Sequence, residues 1–214
     1  MTVAAIVVAA GQGVRFGGPK QFALLASETV ATRSVRLARS VAGKVVLVVP
    51  EHYDGDGEGA DLVVAGGTSR AASVREGLAH CHDVDIVVVH DAARPLASEQ
   101  LFHAVVDAIE RGADGAIPGL RITDTIKRVS DAQPPEVRET IPRDDLVTVQ
   151  TPQAFRREIL ERAHASASDS TDDAQLVEAL QGRVVIVDGE ATNVKITEPS
   201  DLEFVVRSLE KSSR

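Results

Sequence analysis

Cysteine, aromatic residues and positive charge are all in short supply in this 214-residue sequence. One cysteine, Cys81, leaves no partner for an internal disulfide and no set of thiolates for a zinc cluster. There are five Phe, one Tyr and no Trp. The core must therefore rest on Val, Ile, Leu and Ala, and stacking platforms for single-stranded nucleic acid are disfavoured. The formal charge is -9, whereas a duplex binder usually carries a basic face. That argues against nucleic acid polymers, although a small basic pocket in an acidic whole can still hold a nucleotide. No apolar run reaches the length of a membrane-spanning helix. The opening run from Val3 to Ala10 lacks a basic start and is too short for a signal segment with its cleavage site. A soluble cytoplasmic protein is the expectation. The histidines lack metal-ligand spacing, no Gly-x-Ser-x-Gly elbow occurs, and Cys81 has no evident base, so covalent catalysis is unsupported.

What is present has the profile of a globular protein, 43% apolar and 26% charged. The length suits one domain spanning 1–214. Short apolar runs at Val3–Ala9, Lys44–Val49, Asp61–Val64 and Asp85–Val89 read as strands covered on both faces. Between them, Ala31–Val41, Arg70–Cys81 and Glu99–Arg111 carry apolar residues at helical spacing. This order predicts an α/β fold with a mostly parallel, doubly wound sheet and right-handed crossovers. After Gly115 the rhythm changes. Thr123–Val129 and Val137–Ile141 alternate like strands around Pro134-Pro135, which predicts a polar hairpin arm over about 123–145. Two strands cannot build a core, so the arm should pack on something such as a partner subunit. Leu146–Val149 returns to the sheet, Phe155–Ala165 and Asp172–Leu180 read as helices, and Val184–Val187 reads as a strand. A final helix over Ser200–Leu209 carries Ser200 and Glu203 at capping-box spacing. Residues 54–59, DGDGEG, read as a mobile acidic loop without the spacing of a calcium site.

Three strand-to-helix junctions carry chemistry. The first is Ala9-Ala10-Gly11-Gln12-Gly13-Val14-Arg15-Phe16-Gly17-Gly18-Pro19-Lys20. Glycines here let backbone N–H groups approach phosphate. The dinucleotide fingerprint fails because Phe16 stands where its third glycine belongs. The Walker loop fails because Pro19 follows Gly18. What remains is a glycine turn with two fixed cations, Arg15 and Lys20, or an ordinary tight turn. The second junction is His90-Asp91-Ala92-Ala93-Arg94-Pro95, beyond the carboxyl end of a strand, where open α/β sheets bind ligands. Asp91 there can hold Mg²⁺, or it can cap the next turn while Arg94 pairs with a surface acid. The third is Gly66-Gly67-Thr68-Ser69-Arg70-Ala71-Ala72-Ser73, a cradle for a base or ribose, or a helix cap by Thr68 or Ser69. Lys195 is a cation flanked by apolar residues, and Thr125, Lys127, Arg128, Arg138 and Arg143 give the arm a basic character.

Taken together, these stretches closely resemble the 2-C-methyl-D-erythritol 4-phosphate cytidylyltransferases of the non-mevalonate isoprenoid route. The residues that carry the resemblance are Ala9-Ala10-Gly11-x-Gly13-x-Arg15 with Pro19-Lys20-Gln21, Gly66-Gly67-x-x-Arg70-x-x-Ser73-Val74, and His90 to Pro95. Asp124-Thr125-Ile126-Lys127-Arg128, Thr151-Pro152-Gln153 and Asn193-Val194-Lys195-Ile196-Thr197 complete it, from about residue 3 to 205. The resemblance implies a Rossmann-like nucleotidyltransferase fold, a homodimer with exchanged hairpin arms, CTP and a phosphorylated polyol as substrates, and Mg²⁺. It implies that Arg15, Lys20 and Lys195 are catalytic cations and that Asp91 is the metal-side carboxylate. Ala9, Ala10, Gly11, Gly13, Gly67, Arg70, Ser73 and Ala92 match nucleotide-binding positions. Arg94, Thr125, Arg143 and Thr151 match acceptor-binding positions, Thr125 and Arg143 reaching across from the other subunit. This chain has Thr68 where some members carry an acid. A cytidylyltransferase for ribitol 5-phosphate shares most of these features, and an inactive nucleotide-binding module is the reading from a different class.

Overall fold

The computed structural model of the protein describes residues 1–165, 170 and 172–212. The remaining residues of the predicted 1–214 span lie outside the described set. In chain order the strands and helices begin with β1 (Val3–Val8), β2 (Leu24–Leu25), β3 (Glu28–Thr29), α1 (Val30–Ala38), β4 (Lys44–Val49) and β5 (Leu62–Ala65). They continue with α2 (Arg70–Leu78), β6 (Ile86–Asp91), α3 (Glu99–Glu110), β7 (Gly115–Arg121), β8 (Ile126–Val129) and β9 (Val137–Ile141). The last are β10 (Val147–Val149), β11 (Gln153–Arg156), α4 (Arg157–His164), α5 (Asp173–Ala179), β12 (Val184–Asp188) and α6 (Pro199–Ser212).

An eight-stranded sheet runs β10-β7-β11-β6-β1-β4-β5, with β12 also against β7. The β1–β4, β1–β6, β4–β5 and β7–β12 pairings are parallel, and β11 and β10 run antiparallel to their neighbours. Side chains alternate across each central strand. Ala5 and Val7 of β1, Val45 and Leu47 of β4, and Ile86 and Val88 of β6 meet α1 and α3 on one face. Ala4 and Ile6, Val46 and Val48, and Val87 and Val89 meet α2, α4 and α5 on the other. Burial on both faces is why these strands read as unbroken apolar runs. The chain leaves β1 toward β4 on one side and returns to β6 on the other. The carboxyl ends of β1 and β6 therefore flank a topological switch point, the place where such sheets open a crevice.

One strand lies where the sequence carried no expectation, and three expectations are corrected. β7 is a sheet strand, although Gly115, Pro118 and Gly119 make it a poor strand by propensity. Gly115 is needed because a Cβ there would stand 2.9 Å from Cδ1 of Phe155, so packing overrides propensity. Phe155 itself belongs to β11, paired with Val87 and Gly115, and the helix predicted from Phe155 begins at Arg157. The acidic loop at 54–59 is anchored: Glu58 accepts from Thr29 Oγ1 at 2.5 Å and from the hydroxyls of Thr32 and Tyr53. At the start of α6, the Asp201 carboxylate, not a Ser200–Glu203 box, takes the N–H groups of Thr197 and Glu198, each at 2.8 Å.

β8 and β9 form a separate two-stranded sheet, the predicted hairpin, with Val129 and Val137 exposed. Among the described residues no helix is long and apolar enough to cross a membrane.

Candidate active site

The loop after β1 forms one wall of a cavity of about 520 Å³ at the switch point. Its shape depends on Gly13, which sits in the left-handed region at φ 65 and whose carbonyl accepts from Phe16, Gly17 and Gly18. A Cβ at Gly13 would fall 1.8 Å from the Gly18 carbonyl oxygen. Among the described residues, no acceptor takes the N–H groups of Gln12, Gly13, Val14 or Arg15. Gln21, only 3% exposed, staples the loop from beneath, donating to Ala9 O at 2.6 Å and Gly11 O at 3.0 Å. The start of α2 forms the opposite wall, its first turn capped by Ser69 Oγ, which accepts from Ala72 N–H.

Four cations line this cavity: Arg15, Lys20, Arg70 and Lys195. Partial burial and then the charges of Lys195 and Arg15 push the Lys20 ammonium below its ordinary pKa. The cluster is thus short of negative charge, the electrostatic condition for binding a polyanion.

Asp91 closes the far end at the last residue of β6. It is 8% exposed. Its Oδ1 accepts from Arg70 Nε at 3.1 Å, and its Oδ2 from Lys195 Nζ at 2.5 Å. Burial opposes its charge, yet Arg70 and Lys195 hold the carboxyl well below the usual carboxylate range. Thr151 Oγ1 accepts the Asp91 N–H at 3.0 Å and lies within hydrogen-bond distance, 3.2 Å, of Nδ1 of His90. Burial lowers the His90 pKa to about 3, so the ring is neutral and structural.

Arg70, Asp91 and Lys195 also line a second cavity of about 290 Å³, together with Arg94, Gln150 and Thr151. The ion trio is therefore the shared wall between two spaces. Arg94 donates Nη1 to Asn193 O at 2.8 Å, while its buried Nε has no hydrogen-bond partner. Burial pushes the Arg94 pKa down, the sign of a cation kept from water. Ile196 N–H donates to Ala93 O at 2.8 Å, and Asn193 Nδ2 to Thr151 O at 2.9 Å. These bonds dock the 193–196 segment and carry Lys195 to the junction.

Of the predicted site residues, Ala9, Ala10, Gly11, Gly13, Arg15, Lys20, Gly67, Arg70, Ser73, Asp91 and Lys195 line the first cavity. Ser73 spends its hydroxyl on Ser69 O at 2.9 Å. Ala92 is fully buried, with its N–H on Val8 O and its carbonyl accepting from Ser34, and its neighbour Ala93 lines the cavity. Arg94 and Thr151 line the second cavity. Thr125 and Arg143 line neither within this chain, and Arg143 Nη1 donates to Thr123 O at the base of the arm. Arg128 pairs with Glu139 across the hairpin at 2.5 Å, so part of the arm's basic character is balanced. Asp173, which holds Arg70 from behind at 2.7 Å, is absent from the sequence-predicted site, and Gln21 enters there only within the Pro19-Lys20-Gln21 motif, with no role assigned.

A model of the family described as "IspD: 2-C-methyl-D-erythritol 4-phosphate cytidylyltransferase" matches residues 3–210. The 2-C-methyl-D-erythritol 4-phosphate cytidylyltransferase of Rhodococcus jostii (strain RHA1) is 46% identical over 209 residues, covering 94% of this chain and 92% of that protein. The bifunctional enzyme IspD/IspF of Anaeromyxobacter dehalogenans (strain 2CP-C) is 45% identical over 215 residues, 94% of this chain and 55% of that protein. Among solved structures, the 2-C-methyl-D-erythritol 4-phosphate cytidylyltransferase from Thermus thermophilus superposes with a TM-score of 0.83 at 33% identity, covering 99% of this chain and 100% of that chain.

Proposed function

We propose, for this chain, which belongs to the 2-C-methyl-D-erythritol 4-phosphate cytidylyltransferase family, the transfer of CMP from CTP to 2-C-methyl-D-erythritol 4-phosphate. The products are the CDP-alcohol of the non-mevalonate isoprenoid route and pyrophosphate. The observation that carries this reading is a pair of cavities meeting at Arg70, Asp91 and Lys195, the larger one lined by four cations and the single carboxylate of Asp91 over a glycine turn. CTP fits the first cavity, its triphosphate on Arg15, Lys20 and the open N–H groups. The acceptor phosphate fits the second, on Arg94.

The chemistry asks for no general base. A phosphate monoester has a second pKa near ~6 and is largely dianionic at neutral pH. Its oxygen attacks the α-phosphorus, a P–O bond forms, and the bond to the β-phosphate oxygen breaks to release pyrophosphate. The barrier lies in bringing two anions together and in the charge that gathers on the leaving group. Fixed cations lower both terms. Lys20 and Arg15 take the leaving pyrophosphate side, and Lys195, at the junction, faces the oxygens around the α-phosphorus. Burial first, and then the charges of Lys195 and Arg15, push the Lys20 pKa down, and a bound triphosphate would offset those two charges.

Mg²⁺ is part of the proposal. Asp91 is the one carboxylate lining the first cavity, and among the described residues no group of three or more His, Cys, Asp or Glu could hold a metal by itself. That donor set fits Mg²⁺, which commonly takes one or two carboxylates and completes its shell with water and phosphate oxygens. Asp91 would be the protein ligand, and the ion would supply neutralisation of phosphate charge. Asp91 accepts from Arg70 on one oxygen and from Lys195 on the other, so the same carboxylate would serve the ion and both cations.

The hairpin completes the reading. Thr125 and Arg143 line neither cavity of their own chain, and a two-stranded arm with exposed Val129 and Val137 lacks a core. We read it as the arm of a cytoplasmic homodimer that carries both residues to the partner's second cavity. The test is pyrophosphate release with CTP and Mg²⁺, comparing methylerythritol phosphate with ribitol 5-phosphate, with UTP and ATP as controls. Release with methylerythritol phosphate and CTP alone is the expected result. Release with the ribitol ester alone would move the pathway, and silence from a folded sample that binds CTP would refute the transferase reading.

A further inference from the structure

The ion pairs continue behind the cavity wall. Asp173 Oδ2 accepts from Nη1 of Arg70 at 2.7 Å, and Asp173 Oδ1 lies 3.0 Å from Nε2 of His164. A carboxylate can only accept, so His164 Nε2 carries the proton of that bond. Asp173 is 1% exposed, His164 is buried, and neither lines either cavity. His164 is the last residue of α4 and Asp173 the first of α5. Apolar packing of these helices is already supplied by Leu160, Ala163, Ala174 and Val177. A buried ion there is costly unless paired, and it adds little to packing.

What Asp173 does supply is direction. An arginine side chain loses much rotamer freedom when fixed. Here the guanidinium is gripped on two edges, Nη1 by Asp173 and Nε by Asp91, which fixes its plane as well as its place. Asp91 in turn presents Oδ2 to Lys195. The succession His164, Asp173, Arg70, Asp91, Lys195 thus runs from the core between α4 and α5 to the junction of the two cavities. We propose that Asp173, steadied by His164, is a positioning residue that sets Arg70 and, through Asp91, the Lys195 ammonium at that junction. What the junction does rests on the cytidylyltransferase reading; the grip on Arg70 does not.

Two readouts on Asp173→Asn test this. The first needs no substrate: the side-chain Nε and Nη resonances of Arg70 in nitrogen-15-labelled protein. The native chain should show separate Nη signals from a guanidinium that rotates slowly, and Asp173→Asn should merge them. The second is turnover per CTP-binding site, counted by equilibrium dialysis so that misfolded protein does not enter. It should fall about 10- to 100-fold at saturating CTP, the cost of sub-ångström misplacement of a reacting group, so that any change in CTP affinity through Arg70 does not enter. Asp173→Glu and His164→Gln, which keep a carboxylate and a donor respectively, should give smaller effects on both readouts and carry the test if Asp173→Asn does not fold. Either readout unchanged in the variants, or a loss of turnover that merely tracks lost CTP sites, would overturn the proposal. A native chain silent with every acceptor would overturn the transferase reading, and the Arg70 resonances would still decide the positioning.

Discussion

Asp91→Asn is the sharpest perturbation the site allows, because the new side chain keeps shape and removes charge. At an effective dielectric of about 20, attraction is about 5 kcal/mol for a pair at the 3.1 Å Arg70 distance and about 7 kcal/mol at the 2.5 Å Lys195 distance. Most of this is offset by the cost of burying the carboxylate. The Lys195 side chain is 43% exposed and can turn to water, so its share shrinks toward the ~0–1 kcal/mol of a surface pair. Arg70 cannot turn away, but it keeps Asp173. Breaking a buried pair costs about 3–5 kcal/mol, and the retained partner places this case near about 3 kcal/mol. For a chain of this size that is roughly a 6–12 °C fall in Tm. The sign with pH follows from the depressed Asp91 pKa. Its stabilisation is fully present above the unfolded carboxyl value near ~4 and is lost as pH falls toward the folded value. Urea denaturation in metal-free buffer should therefore show a constant gap between native and variant from about pH 8 to 5. Below about pH 4 the gap should close by about 1.4 kcal/mol per pH unit. A gap under about 1 kcal/mol at neutral pH, or one that stays constant into acid, would refute the claim that Asp91 is a buried hub.

Lys20→Ala should lower kcat by about 10²- to 10³-fold, as for loss of one oxyanion donor, with an unchanged circular dichroism spectrum. Gly13→Ala forces a Cβ against the Gly18 carbonyl, so the loop must rebuild, and CTP titration should show weakened binding. Arg94→Ala should raise KM for the acceptor at least about tenfold while leaving KM for CTP near native, because Arg94 lines the second cavity and not the first. Mixing Lys20→Ala with Arg143→Ala protein should restore about a quarter of native turnover if the arms exchange, since half the dimers would then hold one intact site of two.

The strands β1, β4 and β6 were legible because burial on both faces leaves a continuous Val, Ile and Ala run. β7 and β11 were not, for opposite reasons. Gly115 and Pro118 hide a strand whose environment, not its composition, makes it one. Phe155 sits in a short strand that runs directly into α4, so its apolar side chain joined the helical pattern that follows.

The site divides along the same line. Arg15, Lys20 and Asp91 stand at strand ends within recognisable local patterns, and the structure brings all three to one cavity. Gln21 and Asp173 act through hydrogen bonds whose partners include residues 12 and 103 positions away, which no periodicity registers. Asp173 shows the difficulty most clearly. The sequence reading starts a helix at Asp172 and assigns neither acid a role, whereas the Asp172 carboxylate caps α5 by accepting the Ala174 N–H. Nothing local separates the two acids. Once Asp172 takes the cap, the next side chain on the helix turns inward, and it meets Arg70 because α2 and α5 lie on the same face of the sheet. The choice of which aspartate caps and which one reaches the site is made by the packing of layers far apart in the chain, and only a three-dimensional arrangement contains it.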